Sequence, residues 1–268
     1  MRELKNNKYK LKDIYKLYAH SFVFDSIVEG YTPAQVFVDD VENISIFLIC
    51  EGHCVYFGGE VEDKDKYKEA INFFKENCLS ESRRKELGVV KIYYYSEGWK
   101  KELLEGLKEF DCNLYDRVLF KQDLNDIPVV KKVDNIVVKK IDNDVLKNAS
   151  LGNLNCLIDE VTGMWGSLAN FISNGFGYCA IMDRSIISWC TAEYVSKSYC
   201  GIGIETIEEH EGKGVATIVS NEFLKECLAF HITPYWDSWS NNIPSVKVAE
   251  KNNFQKSWDY KVVFIKFH

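Results

Sequence analysis

The sequence has no excess of positive charge, no paired cysteine motif and no long apolar run, and each absence removes a class of function. Its 40 acidic residues outnumber 33 basic ones, for a net charge of −7 at pH 7. A field of that sign repels phosphate backbones, so nucleic acid is not an expected partner. Nine cysteines are scattered without a C-x-x-C motif, which points to free thiols in a reducing compartment and not to a disulfide framework. Cys50, His53 and Cys54 lie close together but lack the second pair of ligands that a tetrahedral zinc site needs, so no metal is expected. Residues 1–13 are charged throughout and carry no secretory h-region. The longest apolar run, residues 44–50, is far short of the roughly 20 residues that span a bilayer. These features predict a cytoplasmic protein with no membrane partner.

What is present is enough apolar material for a large interior: 268 residues, 46% of them hydrophobic. Domains hold roughly 100 to 200 residues, so two domains are expected. In the first half, residues 44–50 and 54–57 read as a hairpin around Glu51, Gly52 and His53. A helical pattern at Tyr67, Ala70, Ile71, Phe74 and Cys78 follows, then a strand over 89–95, a helix over 99–110 and a strand over 114–121. The periodicity lapses around Pro128, which sets the expected boundary between residues 1–130 and 131–268. In the second half a strand over 136–141 leads into a helical stretch over 144–172. Three strands follow, over 177–182, 186–194 and 199–207. A helix over 214–230, a strand over 234–239, a helix over 244–251 and a strand over 259–267 complete the chain. Both halves contain the order ββαβαβ without any repeat at residue level. The fold class expected is α/β (α+β): a mixed, mostly antiparallel sheet flanked by helices, with the first half a degenerate copy of the second.

The densest chemical signal runs from Ile202 through Glu208, Glu209 and His210 into Gly212, Lys213, Gly214, Val215, Ala216 and Thr217. It reads as strand, tight turn and helix N-terminus. Glycines let the backbone turn sharply and approach a ligand, while the first helical N–H groups and the macrodipole favour an anion such as a pyrophosphate. Downstream, the strand of Tyr235, Trp236, Asp237, Ser238 and Trp239 is followed by Asn242 and a short helix beginning near Ser245 and ending at Asn253 and Phe254.

These two stretches, in this order, resemble the cofactor motifs of the GCN5-related N-acetyltransferases (GNAT), whose first signature is R/Q-x-x-G-x-G/A. Within that superfamily the chain looks most like the branch of zwittermicin-resistance-type acetyltransferases. The resemblance implies acetyl-CoA as co-substrate. Its pyrophosphate would be held by Glu211, Gly212, Lys213, Gly214, Val215, Ala216 and Thr217, and its pantetheine arm by backbone near Ile204, Glu205 and Thr206. Asn242 and Ser245 would complete the site. Three positions depart from the family pattern, two of them where the chemistry is concerned. Glu211 replaces Arg or Gln, and Ala249 stands where many members have a Tyr that protonates the leaving thiolate. Asn253 replaces a glycine, which is tolerable because Asn adopts the left-handed conformation readily.

Acetylating an amine needs a base and a frame that polarises the thioester. A period of two places Gly201, Gly203 and Glu205 on one strand face, so two missing side chains would leave room for substrate beside a carboxylate. Glu205 is the first candidate base; it could instead cap donors of a neighbouring loop. Asp237 is the second candidate, with a structural hydrogen bond as its alternative, and Tyr260 and Tyr235 are candidate acids. The reading is an acetyl-CoA-dependent N-acetyltransferase acting on a small-molecule amine. The alternative is a degenerate CoA-binding module without turnover. Either leaves room for a homodimer.

Overall fold

Apolar runs become paired strands, and the 3.6-residue patterns become helices laid on them, in the computed structural model, which describes residues 1–131 and 133–267. The chain forms two units, one of Met1–Arg117 with Asp259–His268 and the other of Val118–Trp258.

In the first unit the elements are β1 (Arg2–Glu3), α1 (Lys12–Tyr15), α2 (Ser21–Glu29), β2 (Gln35–Val38), β3 (Ile46–Glu51), β4 (Cys54–Gly59), α3 (Lys64–Cys78), α4 (Glu81–Leu87), β5 (Val89–Tyr94), α5 (Glu97–Gly106) and the start of β6 (Cys112–Lys121). Helix α3 begins where the Asp63 carboxylate accepts the Asp65 N–H at 3.0 Å. Its Tyr67, Ala70, Ile71 and Phe74 are buried against the sheet, as their spacing predicts. Strands β1 to β4 pair antiparallel in sequence order and β4 pairs parallel with β5. The far side of β5 is taken by the end of the last strand, with Val263 opposite Ile92.

The second unit contains β7 (Val137–Lys140), α6 (Asn143–Leu146), α7 (Leu154–Trp165), α8 (Leu168–Asn174), β8 (Gly177–Met182), β9 (Ser185–Glu193), β10 (Tyr199–Thr206), α9 (Val215–Phe230), β11 (Thr233–Trp239), α10 (Ile243–Lys251) and the start of β12 (Gln255–Lys266). The three successive strands expected over 177–207 are β8 to β10 and pair antiparallel in sequence order, β7 adds antiparallel to the outer side of β8, and β10 pairs parallel with β11. Helix α9 packs on β8 and β9, where Phe223 stacks on Phe176 at 4.9 Å. The mixed, mostly antiparallel α/β class is therefore the observed one, and the core order of strands and helices recurs in both units.

The single helical stretch expected over 144–172 is three helices. Asn153 and Gly166 break it, both with positive φ. In the first half α2, nine residues of which six are buried, is a helix that the sequence reading did not anticipate. The polar stretch around Pro128 is not the seam between units: the Pro128 carbonyl accepts the Asn221 side-chain N–H at 2.9 Å and the Asp126 carbonyl accepts that of Asn253 at 3.2 Å. It packs within the second unit, whose first residue is Val118. Among the described residues no helix is long and apolar enough to cross a membrane. All nine cysteines are free.

Candidate active site

Strand β10 pairs with β9 along its length, from Gly201 opposite Glu193 to Thr206 opposite Ser188. Its parallel pairing with β11 stops at Gly201 opposite Tyr235, although both strands continue beyond that point. Ile207 donates its N–H to the Ile187 carbonyl at 2.9 Å. Alternation then turns the backbone groups of Glu205 toward β9, and those of Ile204 and Thr206 toward the edge that β11 has left. A ligand with amide groups, such as a pantetheine arm, can extend the sheet there as an added strand. Of the three backbone positions expected to meet it, Ile204 and Thr206 have the right orientation and Glu205 does not.

Past Thr206 the chain makes one helical turn over Glu208–His210 and enters α9 through Gly212 and Gly214, with φ of +71° and +80°. Both values lie in the left-handed region that L side chains enter only with strain. A Cβ at either glycine would meet no atom within 4 Å, so the turn encloses open space instead of packing on a neighbour. Gly214 caps α9 without a side-chain hydrogen bond, and the first turn carries no acidic residue. The N–H groups of Val215, Ala216 and Thr217 thus begin a 16-residue helix with no capping acceptor, the arrangement that favours an anion. Glu211 and Lys213 are exposed.

The second motif is used locally. The Asn242 side chain accepts the Ser245 N–H at 3.3 Å as the cap of α10, and the Ser245 hydroxyl accepts the Trp236 indole N–H at 3.0 Å. Asn253 has φ of +60°, the left-handed conformation its place after α10 requires. Ala249 is fully buried in the core. A neighbour that the sequence reading missed, Asn252, is fully buried and ties α10 to α9 by donating to the Ser220 hydroxyl at 2.8 Å. Nothing in the local sequence separates it from an ordinary surface Asn.

The catalytic candidates divide. Pairing at Gly201 and Tyr235 puts Asp237 on the same sheet face as Glu205. Tyr260 belongs to the other unit, where its hydroxyl accepts from Arg117 Nε at 3.1 Å and lies 3.0 Å from His20 Nε2. The side chain of Glu205 is exposed, yet desolvation by the surrounding protein, followed by repulsion from Glu160 and Glu211, pushes its carboxyl above the usual carboxylate range. Glu160, on α7, is half-buried and is likewise pushed up by desolvation. The room expected at Gly203 is already filled: a Cβ there would fall against the Glu193 carboxylate and lie 3.1 Å from Thr191 Oγ1. Glu160, Glu193 and Trp189 all escaped the sequence reading, because only the register of β9 on β10 and the packing of α7 bring them to this face.

A family model described as GNAT acetyltransferase matches residues 13–263, and the chain belongs to that family. The Bacillus subtilis (strain 168) protein named uncharacterized N-acetyltransferase YdfB is 27% identical over 267 residues, covering 98% of each chain. The structure resembles a GCN5-related N-acetyltransferase-like protein from Streptococcus suis 89/1591, with a TM-score of 0.70 at 17% identity over 97% of this chain and 98% of that one. It also resembles a tandem GNAT protein from the clavulanic acid biosynthesis pathway, with a TM-score of 0.59 at 11% identity over 98% and 96% of the two chains. These likenesses reach the family and its fold, and they do not single out the zwittermicin-resistance branch within it. Membership makes the protein an acetyltransferase in general terms.

Proposed function

We propose that the second unit binds acetyl-CoA and transfers its acetyl group to a small-molecule amine. The observation that carries this reading is the parting of β10 from β11 at Gly201, on the strand that runs into two left-handed glycines and the uncapped start of α9. One edge offers amide hydrogen bonds to an extended arm, and the turn at its end offers backbone N–H groups to a diphosphate. Bound there, acetyl-CoA would supply an activated thioester carbonyl. The residues of this chain would orient it through the Ile204 and Thr206 backbone and remove a proton from the amine at the Glu205 carboxylate. A raised carboxyl is the better base, because its proton affinity lies closer to the operating pH. The exposed face beside Glu205 would receive a cationic amine, which carboxylates both attract and deprotonate.

A second reading, a CoA-binding module without turnover, is favoured by one observation: Ala249 is fully buried where many relatives carry the acid for the departing thiolate. Isothermal calorimetry of the full chain with acetyl-CoA, followed by release of free thiol in the presence of a panel of primary amines, separates the readings. Binding with acceptor-dependent thiol release supports the transferase. Binding with no release from any amine supports the module, and no binding overturns both. Cytoplasmic residence remains part of the proposal, consistent with nine free thiols.

A further inference from the structure

In the first unit, two half-buried cysteines distant in sequence meet where α3 ends over the sheet. Alternation along β3 puts Ile46, Leu48 and Cys50 on one face, and Ile46 and Leu48 belong to the apolar cluster that also holds Tyr67, Ala70, Ile71 and Phe74 of α3. Cys78, one turn beyond Phe74, continues the buried stripe of that helix. The helix runs in the direction of β3: Lys66 in its first turn bonds the Asp39 carboxylate at 3.0 Å, and the same carboxylate accepts the N–H groups of Ser45 and Ile46 where β3 begins. Phe73 then stands level with Leu48, because its ring lies 5.0 Å from that of Phe37, the residue paired with Leu48. From that level Cys50 lies about 7 Å further along the strand, and Cys78 about 7.5 Å further along the helix. The two side chains come together, and a hydrogen bond joins them.

Their chemistry differs from that of the remaining cysteines. Burial pushes Cys54 and Cys112 up to about 11, and it raises Cys179, Cys190 and Cys227 as well. Cys50 rises well above the usual thiol range through its hydrogen bond to Cys78 and then through burial. Cys78 moves the other way: the Cys50 thiol donates to its sulfur and the Arg83 guanidinium attracts its negative charge, which together outweigh burial. The thiolate is the reactive form of cysteine, and a neighbouring thiol can capture its first oxidation product as a disulfide. Both members of this pair are partly exposed. Cys200 and Cys227, also hydrogen-bonded to each other, are fully buried and out of reach of an oxidant.

We propose that Cys78 and Cys50 form a peroxide-reactive dithiol site, with Cys78 as the nucleophile and Cys50 as the resolving thiol. The Cys78 thiolate attacks one oxygen of hydrogen peroxide. A S–O bond forms as the O–O bond breaks, and the departing hydroxide takes up a proton to become water. The Cys50 sulfur then attacks the sulfur of the Cys78 sulfenic acid, whose S–O bond breaks, and a second water leaves with the Cys50 proton. The product is a disulfide that fastens the end of α3 to β3. In sum two thiols lose two electrons and two protons, and one peroxide is reduced to two waters. The site lies wholly in the first unit and makes no demand on acetyl transfer.

The test treats the reduced full chain with a small excess of hydrogen peroxide, blocks the remaining thiols with iodoacetamide, and maps the peptides by mass spectrometry. The wild type is expected to lose two of its nine free thiols and to yield one linked pair of peptides, carrying Cys50 and Cys78, that dithiothreitol separates. This should precede modification of Cys156, an exposed thiol that serves as the internal standard. Cys50→Ser removes the resolving thiol, so Cys78 should stop at a sulfenic acid that dimedone traps, and should pass to the sulfinic acid with more peroxide. Cys78→Ser should leave Cys50 unmodified at the same dose. If either variant does not fold, the wild-type map decides alone. Absence of the linked pair, linkage of Cys78 to another cysteine, oxidation of Cys156 ahead of Cys78, or sulfenic acid at Cys50 in Cys78→Ser would each overturn the proposal.

Discussion

Replacing Gly214 by alanine separates backbone conformation from side-chain contact at the proposed diphosphate turn. The residue has φ of +80° and a Cβ there would touch nothing within 4 Å, so no clash contributes. The cost is the left-handed penalty of an L residue, about 1–2 kcal/mol. If the turn holds its shape, that cost lowers stability, and at about 2–4 °C per kcal/mol for a chain of this size class the melting temperature falls by about 2–8 °C. If the turn instead relaxes to negative φ, stability recovers and the N–H groups of Val215 and Ala216 lose their alignment, so the same free energy is lost from acetyl-CoA binding as roughly a five- to thirtyfold rise in Kd. The assay is thermal unfolding with and without saturating acetyl-CoA, together with calorimetric Kd values. Gly214→Asn is the control, because Asn enters this region readily, as Asn153 and Asn253 do here with φ of +60° each. The reasoning is refuted if Gly214→Ala changes neither quantity, or if Asn is as damaging as Ala in both.

Three further outcomes follow from other residues. Glu205→Gln preserves shape and removes the base, so kcat should fall by roughly 10²- to 10⁴-fold with acetyl-CoA affinity little changed. In the wild type the acidic limb of kcat should lie above the usual carboxylate pKa of about 4.3, because the Glu205 carboxyl is raised; a limb unchanged by the substitution would make Glu205 structural. Glu211 is exposed, so a carboxylate about 8 Å from a phosphate charge costs only about 0.5 kcal/mol in water; Glu211→Gln should tighten acetyl-CoA about twofold, more at low salt, and a weaker affinity at low salt would contradict this. Burial pushes the Asp39 carboxyl up, but N–H donors of Ser45 and Ile46 and the Lys66 ammonium at 3.0 Å hold it below its ordinary value. Its stabilisation is therefore present above about pH 3.9 and lost as pH falls through its lowered pKa, so Asp39→Asn should flatten the acid arm of the stability profile read by denaturant melts.

Local signals were readable where one segment determines its own conformation. The strand, glycine turn and helix over 202–217 depend on alternation, two left-handed residues and a helix start, all contiguous in the chain, and Asn253 shows its role by following a short helix. What was hidden depends on partners far apart in sequence. That β10 leaves β11 at Gly201 cannot be read from either strand, since both remain regular beyond it. That Glu193 fills the space at Gly203 needs the β9 register, and the buried Asn252 needs α9 and α10 to be packed together. The seam between units was misplaced for a related reason: a polar run with Pro128 looks like a linker until Asn221 and Asn253 are seen to bind its carbonyls.

The same element order in the first unit gives the opposite outcome at the corresponding place, and this bears on stoichiometry. Strand β4 ends in Gly58 and Gly59 and reaches α3 through residues 60–63, whereas β10 reaches α9 through a turn that holds Gly212 and Gly214. At Gly58 a Cβ would collide with the Phe47 ring, and at Gly59 with the backbone of Ser45 and Ile46. These glycines exist to admit protein, whereas those of the second unit face open space. The backbone of Gly59 is satisfied internally as well: its N–H donates to the Tyr18 hydroxyl at 2.9 Å, and its carbonyl accepts the Trp99 indole N–H at 2.9 Å. Nor does a gap open beside the strand, because β4 and β5 stay paired through Phe57 and Tyr94. With the edge closed and the start of α3 capped by the Asp63 carboxylate, acetyl-CoA lacks there the free strand edge and uncapped helix start that the second unit offers. Calorimetry should therefore give one acetyl-CoA per chain, and Gly214→Val should remove that one site. A second equivalent of comparable affinity that survives Gly214→Val would show that the first unit binds the cofactor after all.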